Sequence, residues 1–165
     1  MISPESARRV RPNMPHYGVA ADATQGMLSW DWVAQQMQSA RNYWVCSVRA
    51  DGRPHAVPVW GAWFDRAFYF GTDENSVKTA NIRSDPRVVI HLDSGDDVVI
   101  MEGELAPAKL SAESVAALDA LYTQKYGLSP ELDTSDSLVY QLHPRKVMAW
   151  QEKDFPATAT CWLFD

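Results

Sequence analysis

The chain has 165 residues, 46% hydrophobic and 22% charged, so it is long enough for one globular domain and unlike a disordered chain in composition. Fifteen basic against 21 acidic residues give a formal net charge of −6, which argues against nucleic acid or an anionic membrane as the main partner. Two cysteines are too few for a disulfide scaffold, and no apolar run reaches the ~18 residues of a membrane helix.

Residues 1–28 mix Pro, Gly, Ala and Arg without a period and read as an irregular N-terminal arm. The first eighteen carry arginines with no apolar segment behind them, so they do not read as a secretory leader, and the expected location is cytoplasmic. Residues 29–165 read as a single domain, without internal repeats or a linker. Ser29 suits a helix cap, and Trp30, Val33, Met37 and Ala40 recur at helical spacing, so a helix is predicted to stop near Arg41-Asn42.

A β-rich block follows. Tyr43–Arg49 and His55–Trp60 read as strands around the turn signal Asp51-Gly52, with Pro58 marking an edge or irregularity. Phe68–Phe70 is a third strand after a turn at Asp65-Arg66. Ser76–Ser84 reads as a short helix with Ser76 as its cap, closed by Asp85-Pro86. Val88–Leu92 and Val98–Met101 pair around Ser94–Asp97. Ser111 opens the longest helix, with Val115, Leu118, Leu121 and Tyr122 on one face and Lys125 and Gly127 at its stop. Residues 128–137 read as an acidic loop. Leu138–Leu142, Lys146–Trp150 and Thr160–Phe164 close the chain as strands broken by His143-Pro144 and Phe155-Pro156. The class is mainly β (α+β), with antiparallel strands expected near 43–49, 54–60, 67–72, 87–93, 98–105 and 146–151.

Much familiar chemistry has no motif here. His16, His55, His91 and His143 stand apart and no CxxC occurs, so no metal site is read. There is no nucleophile elbow, phosphate loop or dinucleotide fingerprint. Asp93, Asp97 and Glu104 fit three positions of a calcium-loop template, but Gly95 and Val98 stand where a ligand and the glycine belong, so a polar hairpin turn is the better reading.

One longer pattern remains. Trp44–Arg49, Asp51-Gly52-Arg53-Pro54-His55 and Val57-Pro58-Val59-Trp60 are followed by an aromatic strand ending at Thr72. Then come Ser76-Val77-Lys78 with Asn81, Asp85-Pro86-Arg87-Val88, Val99–Gly103, Lys146–Trp150, Asp154-Phe155-Pro156 and Thr158-Ala159-Thr160. In order and spacing this resembles the pyridoxamine 5′-phosphate oxidase-like flavin split-barrel superfamily over about residues 43–164.

The resemblance implies a six-stranded antiparallel split β-barrel with two or three flanking helices, working as a homodimer with one cofactor in each of two interfacial grooves. It implies flavin mononucleotide (FMN) or the 8-hydroxy-5-deazaflavin coenzyme (F420 type). His55, Val57, Pro58, Val59 and Trp60 match the strand that runs along the cofactor, and Gly71 and Thr72 the strand end near its ribityl chain. Ser76, Val77 and Lys78 match the turn that receives the phosphate, and Trp150 matches a tryptophan supplied to the groove from the far end of the chain. On its own chemistry, the Ser76–Lys78 triplet joins a helix start, a hydroxyl and a cation, which suits a phosphate monoester. It equally suits an ordinary capped helix with a surface lysine. Trp44 reads as core or dimer interface. Arg8, Arg9 and Arg11 form a cationic cluster, either a basic arm or a cover for the deazaflavin's polyglutamate tail.

Three positions depart from the family pattern: Val77 stands where a phosphate-binding arginine is common, Val98 where glutamine is, and an arginine is usual at or beside Cys161. The residues that grip pyridoxamine phosphate are not recognisable, so that oxidase activity is not the reading. The expected function is an FMN- or deazaflavin-dependent oxidoreductase that moves a hydride to or from a small organic substrate, with no catalytic side chain assigned. The alternatives are a haem-, bilin- or cofactor-binding protein with little turnover, or a cofactor-free dimeric interaction module.

Overall fold

The computed structural model describes residues 6–129 and 137–164. Its strands are β1 (Arg8–Val10), β2 (Tyr43–Val48), β3 (Pro54–Val59), β4 (Ala62–Phe64), β5 (Ala67–Asp73), β6 (Arg87–Leu92), β7 (Asp97–Pro107), β8 (Ser137–Gln151) and β9 (Thr160–Leu163). Its helices are α1 (Trp30–Ser39), α2 (Val77–Ser84), α3 (Ala112–Tyr126) and the single turn α4 (Phe155–Thr158). The strands form one sheet in the order β1-β9-β8-β7-β6-β2-β3, with β5 pairing both β4 and β8, and every pairing is antiparallel.

Six strands were expected among the described residues and nine are found. Two of the additions are short, β1 inside the N-terminal arm and β4 before the Asp65-Arg66 turn, where both residues take positive φ (45° and 62°) as a tight hairpin needs. The third, β9, is the predicted Thr160–Phe164 strand, which was read from the sequence but not counted among the six, and it pairs with β8.

β8 also differs from expectation, because the break predicted at His143-Pro144 is absent and the strand runs from Ser137 to Gln151. Its first half pairs β5 on one side, its second half pairs β9, and β7 lies along the other side. The proline is absorbed by a register shift between Glu102 and Gly103. Gly103 makes that possible, since a Cβ there would lie 2.3 Å from the His143 carbonyl oxygen and 2.7 Å from Pro144 Cα.

The three longer helices begin at the predicted serines. The Ser29, Ser76 and Ser111 hydroxyls accept from the N–H groups of Trp32, Thr79 and Ser114, and Gly127 (φ 77°) ends α3. Val33 and Met37 of α1 enter the main core with Tyr43, Val45, Phe68 and Phe70. A second core joins α3 to the other side of the β4-β5 hairpin through Ala62, Ala67, Tyr69, Leu118, Tyr122 and Tyr126.

The arm is less irregular than its composition suggests. β1 pairs Arg8 with Leu163 and Val10 with Cys161. Arg11 is buried, and its guanidinium donates to the carbonyls of Gln25, Ala157 and Ala159 at 2.7–2.8 Å and to that of Ala23. Those acceptors are backbone atoms, so no side-chain pattern announces them. Arg11 is therefore withdrawn from the expected cationic cluster, while Arg8 and Arg9 stay exposed. Residues 130–136 of the predicted acidic loop lie outside the described residues. No described helix is long and apolar enough to cross a membrane.

Candidate functional site

Strand ends and helix ends meet in one groove of about 460 Å³. The end of β3 brings Pro58 and Val59, followed by Trp60. The end of β5 brings Gly71, Thr72 and Asp73, the first turn of α2 brings Lys78, and the end of α3 brings Tyr122 with Leu128 and Ser129 beyond it. Six of the predicted site residues thus share one cavity.

The other five do not line it. Val57 packs against the main core. His55 pairs across the strands with Ser47, and its Nδ1 is buried without a hydrogen-bond partner. Ser76 is spent on capping α2, its hydroxyl also lying 3.1 Å from that of Thr72 and 3.0 Å from that of Thr79. Val77 is 48% exposed at the helix start. Trp150 sits on β8 opposite Val98, edge-on to Phe155.

The electrostatics centre on Lys78. It is half-buried, and burial lowers its pKa from the usual lysine value, while the Asp73 carboxylate acts in the opposite sense. A partly desolvated ammonium is stabilised by an anion placed beside it. The helix start adds N–H groups that helical geometry leaves without partners. Ser76 takes that of Thr79, and those of Val77 and Lys78 remain at the first turn.

The groove's aromatic wall is built from an unexpected direction. The Trp60 ring stacks on Tyr126 at 4.5 Å with an interplanar angle of 7°, so one face is covered, yet the residue remains 41% exposed. Tyr122 donates its hydroxyl hydrogen to the Trp60 carbonyl at 3.1 Å. The Gly61 N–H donates to the Tyr126 hydroxyl at 2.9 Å, and Lys125 Nζ donates to the Gly61 carbonyl at 3.2 Å. The end of α3 therefore fixes the Trp60-Gly61 backbone. Sequence reasoning placed Tyr122 only on an apolar helix face and missed Tyr126, Leu128, Ser129 and Asp73. The available signal was the i, i+4 tyrosine pair beside a lysine at a helix end.

A second surface begins at Pro58. Pairing register sets one row of residues across seven strands: Pro58, Trp44, His91, Ile100, Met148, Cys161 and Val10. Trp44, His91, Ile100 and Met148 are all half-buried, and the Trp44 and His91 rings lie parallel at 6.2 Å. Trp44 Nε1 donates to the Asp93 carboxylate. On the neighbouring row, Glu102 pairs with Lys146 at 3.0 Å. A depression of about 480 Å³ opens beside Cys46, Val48 and Val89 and is rimmed by Arg87, Glu102, Glu104 and Arg145. This face is apolar in its middle and mixed in charge at its edge. Among the described residues, no three His, Cys, Asp or Glu side chains converge as a metal site would require.

Residues 30–151 match the family model described as pyridoxamine 5′-phosphate oxidase. No curated protein matches the chain. Among solved structures, a conserved hypothetical protein, Rv2991 from Mycobacterium tuberculosis, is 21% identical, with 80% of this chain and 90% of that one covered at a TM-score of 0.67. An F420 reductase is 18% identical, with 68% and 93% covered at 0.54. A heme binding protein from Mycobacterium smegmatis is also 18% identical, with 79% of this chain but 61% of that one covered at 0.59. At these identities the structural matches speak for the fold alone.

Proposed function

The chain belongs to the pyridoxamine 5′-phosphate oxidase family, and from that premise we propose that it is a dimeric oxidoreductase using FMN or the 8-hydroxy-5-deazaflavin coenzyme. The observation that carries this reading is Lys78, a half-buried ammonium at a helix start, sharing a groove with the open side of Trp60. A phosphate-bearing, flat, tricyclic group has both of its needs met there. Lys78, the first-turn N–H groups and Thr72 hold the phosphate end, while Pro58, Val59 and Trp60 line the ring.

When bound, such a cofactor supplies the hydride chemistry. The chain's own residues position and shield it. Tyr122, Tyr126 and Lys125 fix the Trp60-Gly61 backbone, and the stack with Tyr126 sets the tilt of the indole. Tyr122 keeps its proton at neutral pH, since burial raises its pKa far above the ordinary phenol value, so its part is to hold the Trp60 carbonyl.

A second copy of the chain completes the site in this reading. The row from Pro58 to Val10 offers an apolar face, and its rim carries both signs of charge, which suits a two-fold interface in which the same patch meets itself. Trp150 lies on that same face, so it is placed to reach the partner's groove rather than its own.

A tetrapyrrole reading, prompted by the haem-binding structural neighbour, has less support, because no histidine of the same chain lines its half of the groove. Titration of cofactor-free protein with FMN, the deazaflavin coenzyme and haem, read by absorption, separates the cases. One flavin or deazaflavin per chain, with light scattering at twice the chain's mass, is the expected result. Saturable binding of haem alone would move the function to tetrapyrrole handling, and binding of none would leave a dimeric interaction module.

A further inference from the structure

Away from the groove, between α1 and α3, lies a cavity of about 320 Å³ lined by Gln38, Trp63, Leu121, Gln124 and Lys125. Lys125 has three N–H donors, of which two are used, on the Tyr43 hydroxyl at 2.6 Å and the Gly61 carbonyl at 3.2 Å. Among the described residues no third hydrogen-bond acceptor and no carboxylate pairs with the ammonium, which otherwise lies over the Tyr43 ring, 4.6 Å from its centroid. The charged side chain that acts on it is Arg41, of like sign, and both cations lie against the Tyr126 ring, at 5.4 and 5.6 Å from its centroid. Although the chain's net charge is −6, neither cation has a carboxylate partner among the described residues. Burial, and then Arg41, push Lys125 down to about 8. Pinning α3 to Tyr43 and Gly61 accounts for one donor each, and among the described residues no hydrogen-bond acceptor takes the third beside the cavity.

We propose that this cavity is a second small-molecule site, for a compact aromatic carboxylate, with Lys125 as the charge that recognises it. The carboxylate accepts the free N–H of Lys125 and offsets the repulsion from Arg41. The side-chain amides of Gln38 and Gln124, both exposed at the cavity mouth, are donors for its second oxygen. Trp63, 7% exposed, and Leu121 supply the apolar wall for a ring.

Benzoate is a suitable probe. In the full chain, acetylation of individual lysines by acetic anhydride is followed by peptide mass spectrometry with and without benzoate. Lys125 is expected to be protected about fivefold or more, while the exposed Lys109 and Lys153 are unaffected. Calorimetric titration should show Lys125→Met binding benzoate about tenfold or more weakly, as loss of a charge-assisted hydrogen bond implies, with Lys125→Arg closer to the parent. Absence of protection, or equal protection of all three lysines, overturns the proposal even if Lys125→Met does not fold. Protection by acetate as strong as by benzoate removes the role of Trp63 and overturns the assignment to an aromatic ligand.

Discussion

The groove and the outer row share Pro58 but are built by opposite means. The row is made of mid-strand side chains, and register alone decides its membership: once Trp44 faces His91, then Ile100, Met148 and Cys161 follow. The groove is made of element ends, from β3, β5, α2 and α3, and exists only because two tyrosines and a lysine tie the end of α3 to the Trp60-Gly61 backbone. A surface built by register tolerates change in its neighbours and fails when its own character changes. A cavity built by convergence fails when any of its ties is displaced.

The largest effect is expected on the row. Ile100→Glu sets a carboxylate in the middle of the proposed dimer face, and because the face meets itself, each dimer buries two. An unpaired buried charge costs on the order of 3–5 kcal/mol, so light scattering should show monomer where the parent is dimer. The half-buried site leaves the monomer's melting temperature little changed. A dimer that survives this substitution removes the row from the interface.

Gly61→Ala acts on the groove instead. Its Cβ would lie 2.4 and 2.6 Å from atoms of the Phe68 ring and 2.9 Å from the Tyr69 carbonyl oxygen, and Phe68 is fully buried with nowhere to move. Overpacking of this kind costs about 1–3 kcal/mol, a fall in melting temperature of several degrees, and should weaken cofactor binding while dimerisation persists.

Val77→Arg sharpens the groove in the other direction. It restores a cation at an exposed position of the α2 start, and binding of FMN should tighten a few-fold, with the gain disappearing at about 1 M salt.

The smallest effect is on stability against pH. Lys125 is held at about 8 in the folded chain, below the ordinary lysine value of 10.5. Above pH 8 the unfolded chain keeps the proton more readily, so this group's contribution to stability rises with pH until both states lose it. The Cys46 and Cys161 thiols and Tyr43, Tyr122 and Tyr126 are shifted upward by burial, and they oppose it once the unfolded chain releases their protons near pH 9 to 10. Lys78, also lowered by burial, contributes alike to both proteins, so in denaturant melts across pH 7–10 the stability of the wild type should rise relative to that of Lys125→Met.

The same contrast explains what the sequence disclosed. Strand alternation, three serine caps and the Asp51-Gly52 and Asp65-Arg66 turns each act within a few residues, so the helices and most strands were legible. The unbroken β8 was not, because the remedy for Pro144 lies at Gly103, some forty positions away. Pro58, Val59, Trp60, Gly71, Thr72 and Lys78 stood in recognisable local runs. Tyr122, Tyr126 and Leu128 reach the groove only through α3 packing on the β4-β5 hairpin, which no local pattern encodes. Arg11 read as part of a cationic cluster and its burial was not legible, because its partners are carbonyls, which every residue has.

The central claim, that the groove receives a flavin with its phosphate at Lys78, is tested most directly by comparing FMN with riboflavin, which lacks the phosphate, in wild type and Lys78→Ala. Loss of a charge-assisted hydrogen bond of about 1.5–3 kcal/mol should weaken FMN binding ten- to a hundredfold and leave riboflavin binding unchanged. Equal weakening of both, or of neither, would contradict the account and put the phosphate elsewhere.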